Sequence, residues 1–254
     1  MGDLRPPDLT HPSLSFQKTD VTSWTDLSNL FKFAKQTHPT IDHVFANAGV
    51  ANRASYLDEK FDSAGDLLEP SFLTLDINLR AVINTTTLAV HHMRRQPRGG
   101  SIVITASSTA FQRVASPDYA TSKHGVLGFM RSMDAALELS GLPVRINAIA
   151  PDMTETPLIP SELIVAAGGV VQTAEEVAPT AVLLMAEEGR KGHLIYSEAG
   201  RYWEVDEAVL LPAAGSVGVQ GKQSMNEAMA KVAELVGSRD LQNAVDLAEG
   251  SRRE

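Results

Sequence analysis

The chain has 254 residues, a formal net charge of -9 and no cysteine. That length can bury the core of one α/β domain. The acidic balance argues against a nucleic-acid partner, which needs a basic face. The missing cysteines exclude disulfides and thiolate metal sites, and no metal centre is expected. No apolar run is long enough to cross a bilayer, so no membrane partner is expected. The first residues lack the apolar core of a signal peptide, and Pro6 stands where a myristoylation motif has Ser or Thr. The cytoplasm is the expected location.

Residues 1–13 carry three prolines and read as an irregular lead-in. Residues 14–19 alternate apolar and polar side chains, as a strand does. After a turn at Asp20, a helix follows with Leu27, Leu30, Phe31 and Ala34 on one face. Residues 41–46 are a second strand, running into Asn47-Ala48-Gly49. Residues 53–69 are polar and irregular. A long helix is expected from Pro70 to about Met93, with the stripe Phe72, Leu75, Leu79, Val82, Ile83 and Leu88. Adjacent His91 and His92 near its end point to different sides and are read as ordinary helix-end residues.

Residues 101–106 form an apolar, β-branched strand after Gly99-Gly100. It ends in Ser107 and Ser108. A helix then begins near Asp118 and runs through Leu137, with Val126, Leu127, Phe129, Met130 and Met133 as its apolar face. Residues 144–150 are another strand. Residues 158–171 are rich in Leu, Ile and Val and read as a covering segment over an apolar pocket. Thr173 and Glu176 form a capping box for a helix to about Glu187. Residues 193–196 are the last expected strand. Residues 204–254 read as a helical extension, with Met225, Met229, Val232, Leu235 and Val236 on one side. Ala213 to Gly221 is glycine-rich without a dinucleotide fingerprint and reads as a linker.

One group of residues carries chemistry. Tyr119 and Lys123 lie one helical turn apart on the same face. An ammonium near a phenol favours the phenolate, which would let Tyr119 exchange a proton near neutral pH. A serine hydroxyl at the preceding strand end could hold the same substrate oxygen. Ser107 lies 12 residues before Tyr119 and is the first choice; Ser108 is the fallback.

These residues resemble the short-chain dehydrogenase/reductase family, from about Ser15 to about Tyr202. The motifs occur in the family's order: Asp20-Val21-Thr22, Asn47-Ala48-Gly49, Asn78 in a helix, the serine, Tyr119-x-x-x-Lys123, and Asn147 to Pro151. The resemblance implies a Rossmann-like, doubly wound parallel sheet flanked by helices, spanning residues 14–203. It implies interconversion of a carbonyl and a secondary alcohol with NAD or NADP. In that scheme Tyr119 is acid/base, Lys123 lowers its pKa and binds the nicotinamide ribose, Ser107 positions the substrate and Asn78 supports a proton relay through a water on its backbone. Cofactor contacts are implied for Asp20, Val21, Asn47, Ala48, Gly49, Tyr119, Lys123, Pro151, Met153 and Thr156. A small-molecule alcohol or ketone would be the substrate, and a homodimer or homotetramer the assembly.

Two departures stand out. The family's opening strand, glycine-rich turn, helix and second strand have no counterpart here, so about 50 residues of the first β-α-β unit are expected to be absent. The position that sets NAD against NADP preference, at the end of the second strand, is expected to be missing with them. Asp152 replaces a glycine after Pro151, adding a carboxylate near the expected ring site. With those strands absent, the strand at residues 14–19 is expected to pair directly with that at 41–46. The alternative function is a cofactor-incompetent homologue that acts as a binding or scaffold subunit, or an incomplete gene product.

Overall fold

The computed structural model describes residues 1–217 apart from 159, together with residue 231. Its centre is a five-stranded sheet in the order β3-β4-β5-β6-β7. The strands are β3 (His43–Ala46), β4 (Gly100–Thr105), β5 (Val144–Pro151), β6 (Leu194–Glu198) and β7 (Arg201–Glu204). The first four are parallel and β7 returns antiparallel on β6.

Alternation along β4 and β5 explains why helices cover both faces. Ile102, Ile104, Ile146 and Ala148 are buried with α1 (Trp24–Thr37), α3 (Ala81–Met93) and α4 (Pro117–Leu139). Val103 and Ile149 are buried on the other face with Val177, Ala181 and Leu184 of α6 (Ala174–Ala186). Strands buried on both sides need apolar side chains on both faces, and β4 and β5 supply most of them; the polar Ser101, Arg145 and Asn147 are satisfied by hydrogen bonds to the segment at residues 184–193. The connection into β4 is tight: Gly99 has φ +62° and leaves no room for a Cβ against the Pro143 carbonyl.

The helices begin where their caps dictate. Ser23 accepts from Asp26 N at the start of α1. Thr173 and Glu176 form the reciprocal capping box of α6. The long helix opens later than Pro70, as the short α2 (Leu73–Leu75), and passes through a π-helical turn, Asp76–Arg80, before continuing as α3. His92 stacks on Phe31 between α3 and α1, a packing role.

The N-terminal edge differs from the expected pairing. Residues 14–19 do not join β3. Only β2 (Gln17–Lys18) is strand, and it pairs in parallel with β1 (Gly2–Asp3) in a separate two-stranded sheet. The reason is local. Gln17 N donates to Met1 O, Thr19 N to Asp3 O, and the N-terminal ammonium to Ser15 O. Gly2 fits because it has no side chain; a Cβ would lie 2.5 Å from Leu30 Cδ2 on α1. The lead-in is therefore not wholly irregular, and a strand does precede that of Gln17. β3 begins instead at a side-chain clasp: Ile41 N donates to Gln96 Oε1 at 2.9 Å, and Gln96 Nε2 donates to Ile41 O at 3.0 Å.

Beyond β7, a π-helical turn (Asp206–Leu210) leads into α7 (Leu211–Gly215), so the expected linker opens with helix. An ion pair between Arg131 and the buried Asp206 ties this segment to α4. The expected helix carrying Met225 to Val236 lies outside the described residues.

Candidate active site

The site forms where β3, β4 and β5 end. α4 starts with Pro117 at its first turn, so Tyr119 and Lys123 run along one face toward those strand ends. Lys123 is only 4% exposed, and its Nζ donates to the Thr105 carbonyl at 2.7 Å. It lies 5.6 Å from the centre of the Tyr119 ring. Burial pulls the Lys123 ammonium down to about 8. Burial also pushes the Tyr119 phenol above its ordinary value, and a hydrogen bond with the Ser107 hydroxyl pulls the other way. The lowering of Tyr119 expected from lysine spacing alone is thus outweighed by desolvation.

The two serines divide the work. Ser107, an extended residue, turns its hydroxyl toward Tyr119 and accepts from Thr109 N. Ser108 opens a 3-10 turn (Ser108–Ala110) and donates instead to Asp152 Oδ1 at 3.3 Å. Ser107 is the serine at the phenol.

Asn78 is fully buried in the π-helical turn, a device often found at functional sites. Its side chain accepts from Val50 N at 2.8 Å and donates to Val50 O at 2.9 Å. It also donates to Ser122 Oγ, which donates to Tyr119 O. The asparagine side chain therefore clamps the segment after Gly49 onto the tyrosine helix. At Gly49 itself, a Cβ would lie 3.3 Å from Asn78 Oδ1 and 3.9 Å from Lys123 Nζ. Asn47 and Ala48 precede it, and Asn47 Oδ1 accepts from Thr105 Oγ1 at 2.7 Å.

The remaining expected contacts are held by partners of their own. Asp20 and Val21 follow β2, and the Asp20 carboxylate, accepting from Thr22 N and Oγ1, is held below its ordinary value by those bonds. Pro151 ends β5. Met153 is exposed, and Thr156 Oγ1 accepts from Leu158 N at 3.4 Å.

Three residues escaped sequence reasoning. The first is Asp118, 2% exposed, which accepts from Arg53 N, Ala54 N and Tyr119 N. Burial pushes its carboxyl up, but these backbone donors win, and it lies below the ordinary range. The second is Gln172, buried, which donates to Ser197 O at 2.8 Å and pairs through its backbone with Met153 and Glu155. It fixes the segment after Asp152 against β6. The third is Tyr196, whose hydroxyl donates to Asp152 Oδ2 at 2.8 Å. Asp152 was legible only as an odd carboxylate; the structure turns it toward Tyr196 and Ser108.

A nicotinamide dinucleotide can be tested against this arrangement. The carboxyl ends of parallel strands, beside a glycine where a Cβ would be tight, are where such a ligand sits in doubly wound folds. Tyr119, Lys123 and Asn47 bring polar atoms to these strand ends. These residues fit the nicotinamide half. The 254 residues contain no glycine-rich turn of the expected spacing for the diphosphate.

Residues 8–163 match the family model described as short chain dehydrogenase. The chain belongs to the short-chain dehydrogenase/reductase family. It is 46% identical over 244 residues to the short-chain dehydrogenase/reductase ascJ of Acremonium egyptiacum, covering 93% of this chain and 82% of that protein. It is 38% identical to prx4 of Penicillium roqueforti, covering 69% of this chain and 53% of prx4. Against that second relative, as against several others, the chain spans about half the length. Among solved structures, ElxO with NADP bound superposes with a TM-score of 0.59 at 21% identity, covering 72% of this chain and 75% of ElxO. That likeness carries the fold: a Rossmann-like, mostly parallel sheet flanked by helices. Membership makes the chain an oxidoreductase homologue with a nicotinamide cofactor as the family's reagent. Among the described residues, no helix is long and apolar enough to cross a membrane.

Proposed function

We propose that the chain interconverts a carbonyl and a secondary alcohol with NAD(P) as coenzyme. The observation that carries this reading is the buried Lys123 ammonium on Thr105 O, one helical turn from Tyr119, with the Ser107 hydroxyl acting on the same phenol. A bound nicotinamide supplies or accepts the hydride at its C4. In reduction Tyr119 gives its phenolic proton to the carbonyl oxygen; in oxidation it takes the proton from the alcohol. Lys123, largely protonated at pH 7, favours the phenolate and offers its ammonium to the ribose hydroxyls. Ser107 donates to the same substrate oxygen and fixes its place. Asn78 and Asp118 hold the 50–54 segment against α4, which keeps water out of the crevice behind Lys123. The substrate is a small alcohol or ketone, and the working form is a homo-oligomer.

The reading extends to coenzyme choice. The resemblance places the deciding position at the end of the strand before that of Gln17, and Asp3 ends β1. A carboxylate there accepts from a ribose 2′-hydroxyl and repels a 2′-phosphate. NAD is therefore the coenzyme we assign.

The test is calorimetric titration of the purified chain with NADH and with NADPH. Saturable binding that favours NADH, a preference narrowed in Asp3→Asn, is the expected result. Absence of heat with either coenzyme at millimolar concentration sinks the reading. Turnover of a ketone panel, lost in Tyr119→Phe with binding retained, assigns the chemistry to the phenol.

A further inference from the structure

We propose that Asp152, acting with Tyr196, is a positioning residue that sets where the Ser107 hydroxyl meets Tyr119. The inference rests on the functional reading above only in taking Ser107 and Tyr119 as the reacting pair.

Asp152 sits between two elements that have no backbone link to one another. On one side is the turn at residues 107–111, which carries Ser107. On the other is β6. The Asp152 carboxylate reaches both: Oδ1 accepts from Ser108 Oγ at 3.3 Å, and Oδ2 accepts from Tyr196 OH at 2.8 Å. The carboxylate is itself fixed, because Oδ1 also accepts from Met153 N at 2.8 Å. The backbone of Asp152 is fixed too: its N donates to Ser197 O at 2.9 Å, and its O accepts from Thr154 Oγ1 at 2.8 Å.

Tyr196 adds a second grip on the same turn. Its ring meets Phe111 edge-on at 5.9 Å and stacks with Trp203 of β7 at 5.5 Å. The turn is thus held at Ser108 by a hydrogen bond and at Phe111 by an aromatic contact. Both grips trace back to one tyrosine–aspartate pair. Burial, and then the bond to Asp152, push the Tyr196 phenol far above its ordinary value, so this hydroxyl stays a donor across the working pH range.

The geometry also explains a division the sequence leaves open. Two serines stand side by side at the end of β4, and either hydroxyl has the reach for substrate chemistry. Asp152 engages Ser108 and thereby turns it away. Ser107, whose Oγ accepts from Thr109 N, is left as the serine beside Tyr119. A glycine at position 152 would leave Ser108 without this partner and the turn without its tie to β6. Near-attack geometry is sensitive at the ångström level, so a tie of this kind bears on rate rather than on affinity.

The experiment uses the full chain without coenzyme, so its outcome is independent of whether NADH binds. The protein carries four tyrosines, and ring-labelled tyrosine gives each a resolvable carbon resonance at neutral pH. In Asp152→Ala the Tyr119 resonance moves from its wild-type position because the Ser107 bond is loosened. Asp152→Asn keeps an oxygen acceptor for Ser108 and restores most of that shift. Ser108→Ala, a smaller change that tests the same link should Asp152→Ala fail to fold, moves the Tyr119 signal in the same direction and leaves that of Tyr196 in place. Under turnover, Asp152→Ala lowers kcat about 10-fold with little change in KM. A Tyr119 resonance that stays at the wild-type position in folded Asp152→Ala, or in Ser108→Ala, overturns the proposal.

Discussion

The middle of the five-stranded sheet and the separate two-stranded sheet are built on different plans. At β4, β5 and α4 every site residue is held from at least two elements. Lys123 reaches back to Thr105, Asn78 spans Val50 and Ser122, Asp118 gathers three backbone donors, and Asp152 joins two elements. At the N-terminal edge, β1 and β2 are two residues each and are held by backbone bonds and one glycine contact. Cross-ties over-determine positions, whereas a two-residue ladder only tethers them. Chemistry that needs fixed atoms is found on the first plan.

Tyr119→Phe gives the sharpest break between the regions. It removes the acid/base group and nothing that β1 or β2 touch. Turnover falls about 1,000-fold while circular dichroism and thermal midpoint stay near wild type. Loss of turnover below ten-fold would place the proton transfer elsewhere.

Lys123→Met probes the cost of the buried charge. The Lys123 pKa is depressed, so below about pH 8 the folded state must hold a proton in a desolvated site. The unfolded chain binds more protons between that value and the ordinary lysine value, so stability rises with pH across this window. Urea unfolding should show wild type gaining up to about 3 kcal/mol between pH 7 and pH 10.5 relative to Lys123→Met. A flat difference between the two curves would mean the amine is well solvated.

Asp118→Ala strips three backbone N–H groups, that of Ala54 buried, of their acceptor, and a loss of about 3 kcal/mol is expected from denaturant unfolding. The Asp118 carboxyl is depressed, so its contribution is present above the ordinary aspartate range and is lost as pH falls through its folded value. The gap between wild type and Asp118→Ala should therefore close in acid. A smaller effect, about 1 kcal/mol, is expected for Gln96→Ala, which opens the clasp at the start of β3. If Gln96→Ala cost as much as Asp118→Ala, the edge would be as firmly tied as the site.

The Tyr119–Lys123 grouping was legible because its signals are local. Four-residue spacing puts Tyr119 and Lys123 on one face, and a β-branched run ending in serines marks β4. The doubly wound sheet followed from the family resemblance. What escaped notice depends on residues far apart in sequence. Asp118 looks like an ordinary acid in a helix's first turn, and only the fold reveals that residues 53 and 54 need its oxygens. Gln172 sits in a polar stretch, yet its partner is Ser197. Asp152 was visible as a departure, but its partners lie 44 residues away on either side. The edge pairing failed because alternation in residues 14–19 says that a strand forms, not which neighbour it takes. That choice was made by the main chain of residues 1–3.

The buried lysine also has a practical side. An amine whose basicity has dropped to about 8 holds more of its neutral, nucleophilic form near neutrality than an ordinary lysine does. A small acylating reagent that reaches Nζ should mark it. Any molecule seated over Gly49 would shield it. The extent of labelling at this single position, read by mass spectrometry, thus becomes an occupancy gauge for the crevice that needs neither turnover nor a coloured coenzyme.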